Sequence, residues 1–304
     1  MGTISPNLQG AAWMSAAMLA FTLNDTFMKG LAGELPLFQA IFLRGVGVCA
    51  VLLPVCWWLG KLRRPRGRDA LFVGLRTAGE IGAAFFFISA LFRMPLANAT
   101  AILQALPLTV TLAGALFLGE RVGWRRWTAI GVGFAGVLLM IRPGAEGFDR
   151  WSLYVVAAVA CVTLRDVATR RISRAVPSLG VACAAAAGVT LWAGLMTLGQ
   201  DWRPVSAEAA AGLAKAVAAI MGAYVFSVMT MRVGEVSFVA PFRYTGLLWA
   251  LLLGLWAFGD WPDGATLAGA AIVVASGLYT LFRERAVGVD PPLAAPQFKG
   301  LRPR

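Results

Sequence analysis

At 304 residues, the chain carries 59% hydrophobic and only 14% charged side chains, with a mean hydropathy of +0.73. A water-soluble domain carries about a quarter charged residues, so too little polar material is present to clothe a water-facing surface, and a soluble fold is excluded. The formal net charge of +12 would suggest nucleic acid in a soluble chain; here its placement decides, because membrane proteins gather Lys and Arg in cytoplasmic loops.

Ten apolar segments follow in chain order, at about 9–31, 36–59, 70–92, 96–118, 124–142, 151–171, 178–198, 209–231, 236–258 and 264–282. Each approaches the roughly 20 residues that cross a bilayer as a helix. The start of the chain lacks a basic n-region, so the first segment reads as a retained span and not a cleaved signal. Turn chemistry separates the segments, as at Gly33 to Pro36, Arg142-Pro143-Gly144 and Trp261-Pro262-Asp263-Gly264. Strand-like alternation is missing, and in lipid the backbone must satisfy itself, so the spans are expected to be helices.

Charge orients them. Lys61, Arg63, Arg64, Arg66 and Arg68 lie between the second and third spans. With that loop cytoplasmic, Arg121, Arg125, Arg126, Arg170, Arg171, Arg174 and Arg232 fall on the same side. Glu34, Glu146, Asp149, Asp201, Glu208, Asp260 and Asp263 fall on the other. Both termini are then cytoplasmic, and the positive charge is topology that calls for no nucleic acid. Residues 285–304, rich in Pro and basic groups, are expected to form a disordered cytoplasmic tail, with contact to anionic headgroups as the alternative.

Cys49, Cys56, Cys161 and Cys183 all fall in apolar runs; Cys49 and Cys56 share one helix and cannot reach each other, so no disulfide framework is implied. The chain has no histidine, which removes His-bearing zinc sites and histidine proton relays. No Walker A pattern and no nucleophile elbow occur. The sequence therefore implies no cofactor, and an intramembrane enzyme, a channel or a receptor-like protein ranks below a transporter.

The polar residues hide a repeat. TLNDTFMK (Thr22 to Lys29) in the first span aligns with TLRDVATR (Thr163 to Arg170) in the sixth, both reading Thr-Leu-x-Asp-x-x-x-basic. Phe117-Leu118-Gly119-Glu120 and Ala257-Phe258-Gly259-Asp260 recur at nearly the same offset. Two five-helix units therefore look duplicated, over 8–142 and 151–284. Five is odd, so the second unit enters the membrane from the opposite side. The expected fold is an all-α polytopic membrane protein of ten transmembrane helices arranged as two inverted repeats, the pattern of secondary transporters with midplane sites.

On these residues the chain resembles the drug/metabolite transporter superfamily, and within it the bacterial EamA-type transporters. The resemblance covers roughly residues 8–284 and is carried by LQALPLTVTLAGALFLGERVGWRRW (Leu103 to Trp127), APFRYTGLLWALLLGLWAFGD (Ala240 to Asp260), NDTFMK in the first span and Phe42-Leu43-Arg44 in the second. Asp260 departs from the Glu usual at that place but keeps the charge. The resemblance implies alternating access in the bacterial inner membrane, around a site lined by spans one, three, four, six, eight and nine. The implied substrates include riboflavin-like or nucleoside-like vitamins, S-adenosylmethionine and amino acids, with export as the alternative direction and a monomer or homodimer as the working unit.

Ionisable groups inside a span cost several kcal/mol, about 2.5–3.5 at the helix centre, and mark function or a structural pair. Asp25 and Arg44, each roughly 10 Å from the outer surface at 1.5 Å per residue, are placed to form an ion pair, either a staple or an exchangeable gate; Lys29 is the other partner open to Asp25. Arg76 and Glu80 lie one turn apart, with Glu80 near the midplane. Asp166 can reach Arg170, while Arg165 can snorkel to headgroups. Arg243 either holds an anionic substrate group or pairs with Asp166. Asn98, Thr100 and Gln104 form a polar stripe, and Tyr224 and Ser227 lie mid-span, suited to a cavity wall or to interhelical hydrogen bonds. The expected binding or coupling set is Asp25, Arg44, Arg76, Glu80, Gln104, Asp166, Tyr224, Arg243 and Tyr244.

Overall fold

A computed structural model describes residues 6–62, 64–119, 123–143, 149–173, 175–233 and 236–287. Its helices are α1 (Pro6–Gly30), α2 (Leu37–Trp58), α3 (Arg68–Leu91), α4 (Leu96–Leu103), α5 (Leu106–Leu118), α6 (Trp124–Ile141), α7 (Arg150–Arg171), α8 (Ser178–Met196), α9 (Ala207–Val233), α10 (Val236–Val239), α11 (Thr245–Phe258) and α12 (Gly264–Val287), with a 3-10 stretch over Ala240–Tyr244. Among the described residues no strand forms; a single isolated bridge joins Ala32 to Leu35 in the α1–α2 turn.

Seven segments among these are long and apolar enough to cross a membrane: Leu37–Trp58, Arg68–Leu91, Leu96–Leu118, Arg150–Arg171, Ser178–Met196, Ala207–Thr230 and Gly264–Phe282. Ten were expected. The other three are helical but marginal for stated reasons: α1 carries Asn24, Asp25 and Lys29, α6 opens on Arg125-Arg126, and α11 is only 14 residues long. The last helix continues to Val287, so residues 285–287 are helical; the rest of the expected tail, 288–304, lies outside the described residues. Glu120, Arg121, Arg63, Arg174 and Glu146 lie outside them as well.

Two expected spans are interrupted. The 96–118 segment breaks at Gln104–Ala105 before Pro107, and the 236–258 segment passes through the 3-10 stretch that contains Pro241. Proline supplies no N–H and its ring crowds the preceding turn, so an unbroken helix is disfavoured at both places. Beyond the breaks, α5 and α11 end alike. Gly119 (φ 69°) and Gly259 (φ 67°) are left-handed C-caps whose N–H groups return to the helix, a conformation that costs glycine nothing.

The helices pack in pairs: α1 along α9, α3 along α7, α2 along α8 and α6 along α12, with α11 against α1 and α4, and α5 against α7. Without a hydrophobic difference between lipid and side chain, such pairs depend on close fit at small residues. At the α6–α12 crossing a Cβ on Gly136 would stand 2.9 Å from the Gly269 carbonyl oxygen, and one on Gly269 would stand 2.6 Å from that of Gly136. Arg142, which caps α6, pairs with Asp263, and Asp263 in turn accepts the Thr266 N–H at 2.8 Å to cap α12. One apolar core joins Met28, Ile41, Leu91, Leu96 and Ala216; a second joins Ile102, Leu108, Ile130, Val155 and Val273.

Candidate functional site

The site is built on the α3–α7 crossing. A Cβ on Gly79 would lie 2.8 Å from the Cys161 carbonyl oxygen and 3.0 Å from the Arg165 nitrogen. One on Gly82 would lie 2.7 Å from Cys161 Sγ. Only glycine permits this approach, and it carries Glu80 to the Arg165 guanidinium. Glu80 stands 3.6 Å from Arg165 and 3.8 Å from Arg76 one turn below it. Arg165 Nε also donates to Asp166 at 2.8 Å. The result is an alternating chain, Arg76–Glu80–Arg165–Asp166, running from the middle of α3 to the C-terminal half of α7. Isolated charges in lipid are costly, and this arrangement compensates each carboxylate.

The chain is not sealed. Side-chain exposure is 17% for Arg76, 27% for Glu80 and 24% for Arg165, so the helices leave accessible space around charges at membrane depth. Tyr224, in the middle of α9, is 41% exposed and lies within electrostatic reach of Glu80, Arg44, Arg165 and Arg76. Phe21 meets its ring edge-on at 6.2 Å, and Trp13 stacks on Phe226 at 5.5 Å.

Two guanidiniums stand apart. Arg44 lies within electrostatic reach of Tyr224, Asp25 and Glu80, yet among the described residues it makes no hydrogen bond and no ion pair within 4 Å. Arg243, in the 3-10 break, is influenced by Asp166, Arg165 and Tyr244 under the same condition. Gln104, at the other break, reaches the Tyr244 carbonyl at 3.5 Å, so the two interruptions meet. Nearby polar atoms lack partners among the described residues: Asn24 Oδ1, Asn98 Oδ1, Thr100 Oγ1, Asp166 Oδ2 and the Tyr244 hydroxyl. Polar groups buried without partners are costly, and those on α1, α4 and α7 leave hydrogen-bonding capacity unfilled, whereas the Tyr244 hydroxyl lies against Gly277 of α12.

Several expected pairings are replaced. Asp25 bonds to neither Arg44 nor Lys29; its carboxylate accepts from Asn24 Nδ2 at 2.9 Å. Lys29 turns to Asp260 at 3.8 Å, donates to the Met94 carbonyl at 2.7 Å and covers the Phe258 ring. Arg165, expected to snorkel, instead pairs with Glu80 and Asp166. Asp166 and Arg243 form no ion pair, although each feels the other. Tyr244 is 7% exposed and directs its ring at Gly277 of α12, where even a Cβ has no room. Sequence reasoning named Arg165 but missed it as the hub of the site. The available signal was Gly79 beside Glu80, with Gly82 one turn on, facing a span that carries Arg-Asp in tandem.

Known proteins are similar to this chain. A family model described as EamA-like transporter family matches residues 8–142. The S-adenosylmethionine uptake transporter of Rickettsia prowazekii is 26% identical over 286 residues, covering 91% of this chain and 94% of that protein. The riboflavin transporter of Vibrio cholerae is 28% identical over 280 residues, covering 88% and 91%. A crystal structure that is 24% identical superposes with a TM-score of 0.62, covering 92% of this chain and 99% of the other, which speaks for the fold alone. These likenesses and the apolar helices support a multi-pass membrane protein that moves a small metabolite.

Proposed function

We propose that the chain is a ten-pass secondary transporter of two inverted five-helix repeats, with both termini cytoplasmic in a bacterial inner membrane. It moves a small organic metabolite bearing an acidic group, by alternating access. The packing supports the repeat. Exchanging the two halves turns the α1–α9 pair into α7–α3, the α1–α11 contact into α7–α5, and returns α2–α8 and α6–α12 to themselves. The two interrupted spans and the matched Gly119 and Gly259 caps fall at corresponding places, and such paired interruptions point to the binding region of transporters.

One observation carries the substrate class: the central site holds more positive than negative charge. Arg44, Arg76, Arg165 and Arg243 face Asp25, Glu80 and Asp166, and among the described residues Arg44 and Arg243 have no ion pair. A carboxylate on the solute balances that excess and takes a guanidinium in bidentate fashion. Of the solutes that name these relatives, S-adenosylmethionine offers an α-carboxylate to a guanidinium and riboflavin does not, while its ammonium and sulfonium groups fall to Asp25 and the other carboxylates. Proton coupling falls to Asp25. Glu80 and Asp166 are engaged by Arg165, whereas Asp25 has an amide partner and, among the described residues, no cation within 4 Å.

Counterflow into liposomes bearing the protein tests the reading. Labelled S-adenosylmethionine is expected to accumulate chemically unaltered, its decarboxylated analogue to be excluded, and Arg243→Gln to abolish uptake. Equal entry of acid and analogue overturns the substrate class, and a chemically changed product favours an enzyme.

A further inference from the structure

A second cavity lies away from the central charges, where α2, α3 and α8 meet beside the basic loop. It measures about 380 Å³ and is walled by Leu53, Leu62, Val73, Val181, Ala184 and Ala187. At Arg64, Pro65 and Val176 it runs into a smaller space of about 230 Å³ bordered by Arg66, Asp69 and Ala175. The walls are tied. The Gly180 backbone lies so close to the Lys61 carbonyl that a Cβ would stand 2.6 Å from it. At the other end Asp69 accepts from both the N–H and the hydroxyl of Ser173, at 2.8 and 2.7 Å, fixing the α7–α8 link to the start of α3. Leu53 and Leu62 are 37% and 49% exposed, so the apolar channel opens toward the bilayer.

Cations dominate the rim. Arg64 and Arg66 border the cleft, Lys61 and Arg68 flank them in the same loop, and the carboxylate on the rim, Asp69, is already occupied by Ser173. An apolar slot that leads from lipid to a cluster of cations matches one ligand chemistry: an acyl chain attached to an anionic phosphate headgroup.

We propose that this cleft is a binding site for one anionic phospholipid of the leaflet that faces the basic loop. Its phosphate lies between Arg64 and Arg66, and one acyl chain lies along Val181, Ala184 and Ala187. The site is independent of the central charges, and none of its residues belongs to the transport machinery.

Native mass spectrometry of the full chain, released from nanodiscs of equimolar phosphatidylglycerol and phosphatidylcholine, tests it. The protein is expected to retain one phosphatidylglycerol with a preference of about tenfold or more, as two surface arginines supply. The exposed double substitution Arg64→Ala/Arg66→Ala returns the bound lipid to the composition of the bilayer. Ala184→Trp keeps the charges but fills the slot, and abolishes retention. Excess inorganic phosphate leaves the lipid bound. Retention of both lipids in equal amounts by the unmodified chain overturns the proposal. So does an unchanged preference in the double variant, or displacement by inorganic phosphate, which would mark a phosphate subsite instead.

Discussion

Replacing Gly79 by alanine tests whether the close approach of α3 to α7 is what holds Glu80 against Arg165. The added Cβ would meet the Cys161 carbonyl oxygen at 2.8 Å and the Arg165 nitrogen at 3.0 Å, both backbone atoms that cannot turn aside. Restoring ordinary contact, which begins at 3.4 Å, requires the helices to part by about half an ångström. Glu80 and Arg165 are already 3.6 Å apart, so that shift breaks their ion pair. Overpacking of this kind costs about 1–3 kcal/mol, offset by about 1 kcal/mol from alanine's better helix propensity. Gly74, on the same helix, has nothing within 4 Å of its would-be Cβ, so Gly74→Ala carries the propensity gain alone. The difference between the two variants isolates the crossing and is expected to be about 1–3 kcal/mol, a roughly 5- to 150-fold change in the folding equilibrium. The fraction folded across an SDS titration measures it, with uptake into liposomes in parallel. If Gly79→Ala matches Gly74→Ala in stability and still transports, the crossing does not organise the site.

Other outcomes follow from the same geometry. Lys29→Met should destabilise more than Asp260→Asn, because it also strips the donor from the Met94 carbonyl; a double-mutant cycle should give a coupling of no more than about 1 kcal/mol for a pair 3.8 Å apart. Asp263 is held below the usual carboxylate range, first by the Thr266 N–H and then by Arg142. Its contribution is therefore complete above that range and is lost as pH falls through the lower folded value; the protection factor of the Thr266 amide, its exchange rate set against the intrinsic rate at each pH, should fall there, and an unchanged protection factor would contradict the cap. Cys49 faces Thr190 across α2 and α8, and seven residues along each helix Cys56 meets Cys183. Copper-phenanthroline oxidation should join those two thiols, and Cys183→Ser should remove the product. Asp25→Asn should make uptake indifferent to an imposed proton gradient, with the unmodified protein responding to it.

Much of the architecture was legible because membrane insertion leaves a coarse signal. Apolar length marked the segments and punctuating glycines and prolines marked their ends. The two breaks were written at Pro107 and Pro241, but a run of apolar residues looks continuous whether or not its helix is. Pairing was much less legible. Depth along a span can be counted from the sequence, but rotation about the helix axis cannot, and rotation decides that Asp25 meets Asn24 while Lys29 meets Asp260. Arg165 was misjudged for the same reason. Its nearness to the membrane surface suggested snorkelling, whereas the close approach at Gly79 brings the Glu80 carboxylate to it. Tyr244 looked like part of a binding pair with Arg243, but successive residues of a 3-10 turn face different ways, and its ring goes to Gly277.

The account rests on a central site with an excess of positive charge that a solute carboxylate balances. Binding measured directly tests this: calorimetric titration of S-adenosylmethionine and of its decarboxylated analogue into the unmodified protein and into Arg243→Gln. The account predicts that the acid binds the unmodified protein and that losing either the carboxylate or Arg243 weakens binding by about tenfold or more, with no further loss when both are removed. Independent, additive losses, or equal affinity for acid and analogue, would contradict it.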